Sequence, residues 1–168
     1  MISEIVDDYF AISSASRFVR PIYDRHLASA GLTIGQYSML ARLQMQDDVT
    51  MARIAESMQM DRTSALRSLL LLQRDGFACS TAPRGRTLTF HLTEAGATWL
   101  SSARNLWATA QAEFESRYGA DKAGALRQKL LCLTGLKPGS DKASFQSGRR
   151  ILRCRCVRYQ HAPLAISP

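Results

Sequence analysis

Arg62, Thr63, Ser64 and Arg67 bring two guanidinium forks and two hydroxyls together at the start of one amphipathic segment. At helical spacing they share an exposed side, while Leu66, Leu69 and Leu70 are expected to turn inward. Forks and hydroxyls on the first turn of an exposed helix suit phosphate oxygens and base edges. The helix N-terminus itself also favours phosphate. A second basic group, Arg84 and Arg86, sits in the run Pro83-Arg84-Gly85-Arg86. Proline presets φ there and glycine tolerates unusual backbone angles, so the run reads as a turn. An arginine on such a turn is attracted to the negative potential of a narrow minor groove.

These groups need a scaffold, and residues 50–92 supply one. Thr50 can cap a short helix whose apolar stripe is Ile54, Ala55 and Met58. Asp61 can cap a second helix over 62–75, making a helix-turn-helix with the second helix outermost. Leu88, Phe90 and Leu92 alternate with Thr87, Thr89 and His91, the period of a half-buried strand. A short β contribution is expected at Val49, beside an exposed turn at Asp47 and Asp48.

Helices flank this unit. Residues 3–30 read as one, with Ile5, Tyr9, Ile12, Ser16 or Val19, and Tyr23 near one face. Pro21 should kink or split it, because proline removes a backbone donor and clashes one turn back. After Gly31, Thr33 caps a helix to residue 46 whose core face is Ile34, Tyr37, Leu40 and Ala41. Thr93 caps the longest helix, 94–118, with Leu100, Ala103, Leu106, Trp107, Ala110 and Phe114 in an i+3/i+4 ladder. Gly119 ends it, and a last helix over 121–134 carries Leu126, Leu130 and Leu133 on one side.

Residues 31–100 resemble the MarR family of bacterial winged-helix regulators. The segments that carry the resemblance are GLTIGQYSMLARL, TMARIAESMQMDRTSALRSLLLLQRDGF and RGRTLTFHLTEAGATWL. With the flanking helices it extends over about 1–136. It implies a mainly α fold with a small β wing: a winged helix-turn-helix domain flanked by N- and C-terminal dimerisation helices. The implied division is 1–30 with 93–136 for dimerisation and 31–92 for DNA binding, leaving a basic, disordered tail at 137–168. The resemblance further implies a homodimer on double-stranded DNA, placing two recognition helices about one turn apart on a pseudo-palindrome. The acidic start MISEIVDDYF lacks a basic-then-apolar signal, so a cytoplasmic protein is the default expectation. Arg62, Thr63, Ser64, Arg67, Arg84 and Arg86 would touch the DNA, with Arg84 favoured for the minor groove. Family members often bind small aromatic or phenolic anions between the dimer helices and the DNA-binding lobe. Phe18, Tyr23, His26, Tyr37 and Trp107 would line that space here, with Arg17 or His26 pairing the anion. A ligand-responsive repressor acting near its own gene is the implied function. This chain departs from the family twice: Ala82 stands where an acid usually precedes the key wing arginine, and Gln59 holds a corner that is commonly glycine.

Composition bounds the alternatives. The net charge of +8 misleads if read alone, since Lys137, Lys142 and five arginines of the tail supply most of it. Within 50–92, six arginines face three acids, so the basic character is local to that unit. Arg53 and Arg74 are further phosphate candidates there. A phosphate-gripping arm is one reading of the tail, and an extension without a selected role is the favoured one. No 18-residue apolar run marks a membrane span. No cofactor or metal site is expected: Cys154 and Cys156 lack a second ligand pair at zinc spacing, and His161 does not complete one. Phosphate-loop, zincin and nucleophile-elbow motifs are absent, and His26, His91 and His161 are dispersed, so an enzyme is not expected. Two other readings compete with the DNA-binding one: a winged-helix module for protein partners, and a thiol-based redox sensor using Cys79 or Cys132. The bland reading of Cys132, in LLCL, is a small core residue.

Overall fold

The computed structural model describes residues 7–46, 48–82 and 87–136. Arg84 and Arg86, their neighbours Pro83 and Gly85, and the tail with Cys154, Cys156 and His161 lie outside the described residues. The elements are α1 (Asp8–Leu27), a single 3-10 turn (Ala28–Ala30), α2 (Ile34–Met45), β1 (Val49–Thr50), α3 (Met51–Ser57), α4 (Arg62–Arg74), β2 (Ala78–Thr81), β3 (Thr89–Leu92), α5 (Glu94–Tyr118) and α6 (Ala120–Leu133). None of the described helices is long and apolar enough to cross a membrane. The fold is mainly helical with a small β wing, as expected.

Local chemistry starts the helices where hydroxyls and carboxylates can receive orphan N–H groups. Thr33 accepts from the Gln36 N–H while the Gln36 side chain receives the Thr33 N–H, a reciprocal capping box. Asp24 of α1 adds a tertiary cap, its Oδ1 accepting from the Ile34 N–H at 2.7 Å. Gly31 closes the preceding turn at φ 67°, in the left-handed region. Thr93 caps α5 by accepting from Gly96 N and donates its hydroxyl to the Gly76 carbonyl.

The three strands form an antiparallel sheet in the order β1-β3-β2, with Val49 opposite Phe90 and Ser80 opposite Phe90 on the other side. Phe90 is fully buried with Leu27, Met39, Leu40, Ile54, Leu69, Leu72 and Leu100, so one core joins the sheet to α1 through α5. Each such side chain contributes roughly 1.5–3 kcal/mol by leaving water.

Several expectations are corrected. Helix α1 runs unbroken through Pro21, which leaves one backbone carbonyl without its usual donor and does not split the helix. Leu70 points outward and is 52% exposed; Ala65 and Leu72 fill the core in its place. Four consecutive leucines cannot share one helix face, so two of the run Leu69–Leu72 must look away. The strand alternation also fails at its start: Leu88 is exposed, whereas Thr89 is buried because β3 is the central strand. Thr89 satisfies its hydroxyl by donating to the Thr81 carbonyl. Cys132 is exposed on α6 and is no core residue of this chain, while Cys79 is buried in β2. Tyr9 and Phe18 of α1 are exposed too, as are Leu130 and Leu133 of α6.

Candidate nucleic-acid interface

Two short helices and the turn between them build the surface. Thr50 Oγ1 accepts from the Arg53 N–H and starts α3, whose Ile54 and Ala55 are buried. The chain then reverses through Gln59 at φ 51°, a left-handed angle on a residue with a Cβ. Its amide Nε2 donates to the Glu56 carbonyl at 3.0 Å, and the Met60 N–H donates to the Ala55 carbonyl at 2.9 Å. The corner therefore keeps the geometry that glycine would take, held by side-chain and backbone bonds.

Helix α4 begins at Asp61, whose Oδ1 accepts from the Ser64 N–H at 2.9 Å. Hydrogen bonds from the Ser64 side chain and backbone hold the Asp61 carboxyl below its ordinary pKa. That end of the helix thus carries its own anion, so a phosphate would have to be met by side chains as well as by backbone. Ala65, Leu69 and Leu72 face the core. Arg62, Thr63 and Arg67 are exposed, whereas Ser64 is half-buried and engaged with the cap. At about 100° per residue, Thr63, Arg67, Leu70 and Arg74 fall in an outward strip roughly 60° wide. Among the described residues, Arg74 is paired with Asp75 at 2.9 Å, while no carboxylate lies within ion-pair distance of Arg62 or Arg67. Arg53 is exposed on α3.

The wing is described at its base. His91 Nε2 lies 2.9 Å from Thr81 Oγ1 and 3.2 Å from Asp48 Oδ1, linking β2, β3 and the turn before β1. Asp48 itself adopts φ 54°.

The six residues expected around a small ligand separate into three groups. Tyr23, Tyr37 and Trp107 come together: Trp107 stacks on Tyr37 at 6.0 Å and tilts against Tyr23 at 6.2 Å. Burial pushes both phenols up. His26 instead meets Glu113 at 2.7 Å. Arg17 and Phe18 lie on the exposed side of α1, with Arg17 donating to Ser14 at 3.0 Å.

Sequence reasoning missed the polar network that joins α1, α5 and α6. Arg25 grips both oxygens of Glu113 at 2.7 Å, and Arg117 reaches the same carboxylate at 2.6 Å. The hydrogen bonds from Arg25 and His26, with the charges of Arg25 and Arg117, lower Glu113 to a pKa of about 2. The Tyr23 hydroxyl donates to Gln111, Gln111 donates to Glu115, and Arg127 of α6 donates to Glu115. Phe77 and Trp99 were missed as well; they stack at 3.7 Å, and the Trp99 indole donates to the Ala30 carbonyl. Nothing local marks these pairs, because Tyr23 and Gln111 are 88 positions apart.

No family profile matches the chain, and no curated protein does. Solved structures do. The M. tuberculosis transcriptional regulator MosR is 28% identical, with TM-score 0.69, over 80% of this chain and 96% of that one. MosR in complex with DNA gives 28% identity and TM-score 0.70, over 77% and 95%. A MarR-family transcriptional regulator from Rhodococcus sp. RHA1 is 19% identical with TM-score 0.69, over 79% and 97%, a likeness of fold. With the segments 31–100, the capped helix pair and the three-stranded wing sheet, these likenesses agree: the chain has the winged helix-turn-helix fold of the MarR-family transcriptional regulators and is similar to them.

Proposed function

We propose that the chain is a homodimeric, sequence-specific DNA-binding repressor that responds to a small ligand. The observation that carries the DNA reading is the outer face of α4, where Thr63 and Arg67 stand exposed and Arg67 has no carboxylate partner among the described residues. Arg67 and Thr63 read bases, Arg62 and Ser64 meet phosphate or base edges, and Arg84 with Arg86 extends the contact along the minor groove. MosR and the repressor CouR have both been solved with DNA, which supports this reading. CouR has also been solved with p-coumaroyl-CoA, and a further neighbour with salicylic acid: the thioester of an aromatic acid and a free one. Arg17, Phe18, Tyr23, His26, Tyr37 and Trp107 remain the proposed effector set.

The dimer rests on apolar surface. Tyr9, near the start of α1, is 80% exposed, and Leu133, the last residue of α6, is 71% exposed. A second copy would cover both and set two α4 helices on one face of a duplex. Salt-dependent fluorescence anisotropy on the DNA upstream of the gene, for wild type and Arg67→Ala, tests the proposal. Selective binding that weakens steeply with salt and loses about 1–3 kcal/mol of discrimination in the variant is expected. Equal binding to scrambled DNA by the wild-type protein would reject this operator. If sequences selected from a random pool also fail, the DNA reading falls.

A further inference from the structure

The outward strip of α4 holds one apolar residue, and the DNA reading has not used it. Leu70 lies between Arg67 and Arg74 and is 52% exposed. A single exposed leucine means nothing by itself. This one shares the strip that carries Thr63 and Arg67, with cations on both sides and the acids of the segment, Asp61 and Asp75, only at its ends. A partner that covers it must be anionic around an apolar point. Major-groove DNA has that composition: phosphates flank a floor whose one apolar group is the thymine methyl. Leu70 follows Arg67 by about 4.5 Å along the helix axis, a little more than one base step.

We propose that Leu70 is a specificity-determining residue that packs on a thymine 5-methyl next to the base read by Arg67. The inference rests on the DNA-binding reading above. Arg67 alone selects an acceptor pattern; Leu70 adds a demand for thymine over cytosine at the neighbouring pair, since cytosine lacks the methyl. The leucine side chain also excludes water from the Arg67 contact on that side.

The probes are duplexes enriched from a random-sequence pool by the full-length protein. Each thymine is replaced in turn by deoxyuridine, which removes only the 5-methyl, and affinity is measured for wild type, Leu70→Ala and Leu70→Met. We expect at least one thymine whose replacement weakens wild-type binding about fourfold, the worth of one buried methyl. That penalty should vanish in Leu70→Ala and persist in Leu70→Met, and thermal melting should show both variants folded. Identical deoxyuridine penalties in wild type and Leu70→Ala at every thymine would overturn the inference and leave the DNA reading intact. So would a uniform loss of affinity in Leu70→Ala with the penalties unchanged. A pool that yields no enriched sequence would overturn both.

Discussion

Two regions of the molecule are rich in charge and use it in opposite ways. In the seam where α1, α5 and α6 meet, Glu113 takes Arg25, His26 and Arg117, and Glu115 takes Arg127 of α6. On the outer face of α4, Arg62 and Arg67 have no such carboxylate among the described residues. The first set of cations is consumed internally and fixes how helices sit. The second set is available to an external anion. Pairing, more than count, separates a structural cation from a binding one, which is why the net charge of +8 carries so little information here.

Breaking the seam should give the largest effect. Trp107→Ala removes the ring that contacts both Tyr23 and Tyr37, and we expect a stability loss of roughly 3 kcal/mol by chemical denaturation. If the contrast holds, the folded fraction keeps its base preference. Arg67→Ala should behave inversely, with the loss of discrimination given above and a change in stability within about 0.5 kcal/mol. A destabilised Arg67→Ala protein would mean that the arginine is bound internally after all.

Smaller changes sharpen the contrast. Gln59→Gly relieves a left-handed residue in the corner between α3 and α4, and the melting midpoint should rise by the equivalent of up to about 1 kcal/mol. Glu113→Gln should destabilise the fold near neutrality, with a pH signature. Glu113 falls from an ordinary pKa of 4.5 to about 2, so its contribution is whole above the upper value and is lost as pH drops towards the lower. The gap between wild-type and variant melting temperatures should therefore close across that interval. It should leave the salt dependence of DNA binding unaltered. A variant with an altered salt slope would place Glu113 in the DNA surface and erase the distinction between the regions.

The local parts of the fold were readable from residue types. Thr33, Thr50, Asp61 and Thr93 all cap the helices expected of them. The exposure of Arg62, Thr63 and Arg67 followed from the same periodicity. What escaped was decided by tertiary surroundings. Leu70 and Leu72 are alike as residue types, and only the position of α3 and the sheet decides which is buried. Thr89 looked like an outward strand position because nothing in the run TLTFHL says that strands lie on both sides of it. Glu113 was unremarkable until α1 brought Arg25 and His26 to it. Pro21 marked a break in the sequence, yet packing of Ile22, Tyr23 and Leu27 into the core keeps the helix running past it.

The junction at Thr93 has a mechanical consequence. Thr93 donates its hydroxyl to Gly76 and its N–H to the Phe77 carbonyl, immediately after α4 ends. A Cβ on Gly96 would overlap that same Phe77 carbonyl, so the two chains are seated without clearance. The start of α5 and the end of α4 are thereby clamped as one rigid piece. Helix α5 has 25 residues and measures about 37 Å. It is a lever with its short grip on α4 and its long arm in the aromatic seam. A swing of only about 5° around its Tyr118 end displaces the Thr93 end by about 3 Å, close to the rise of one base pair.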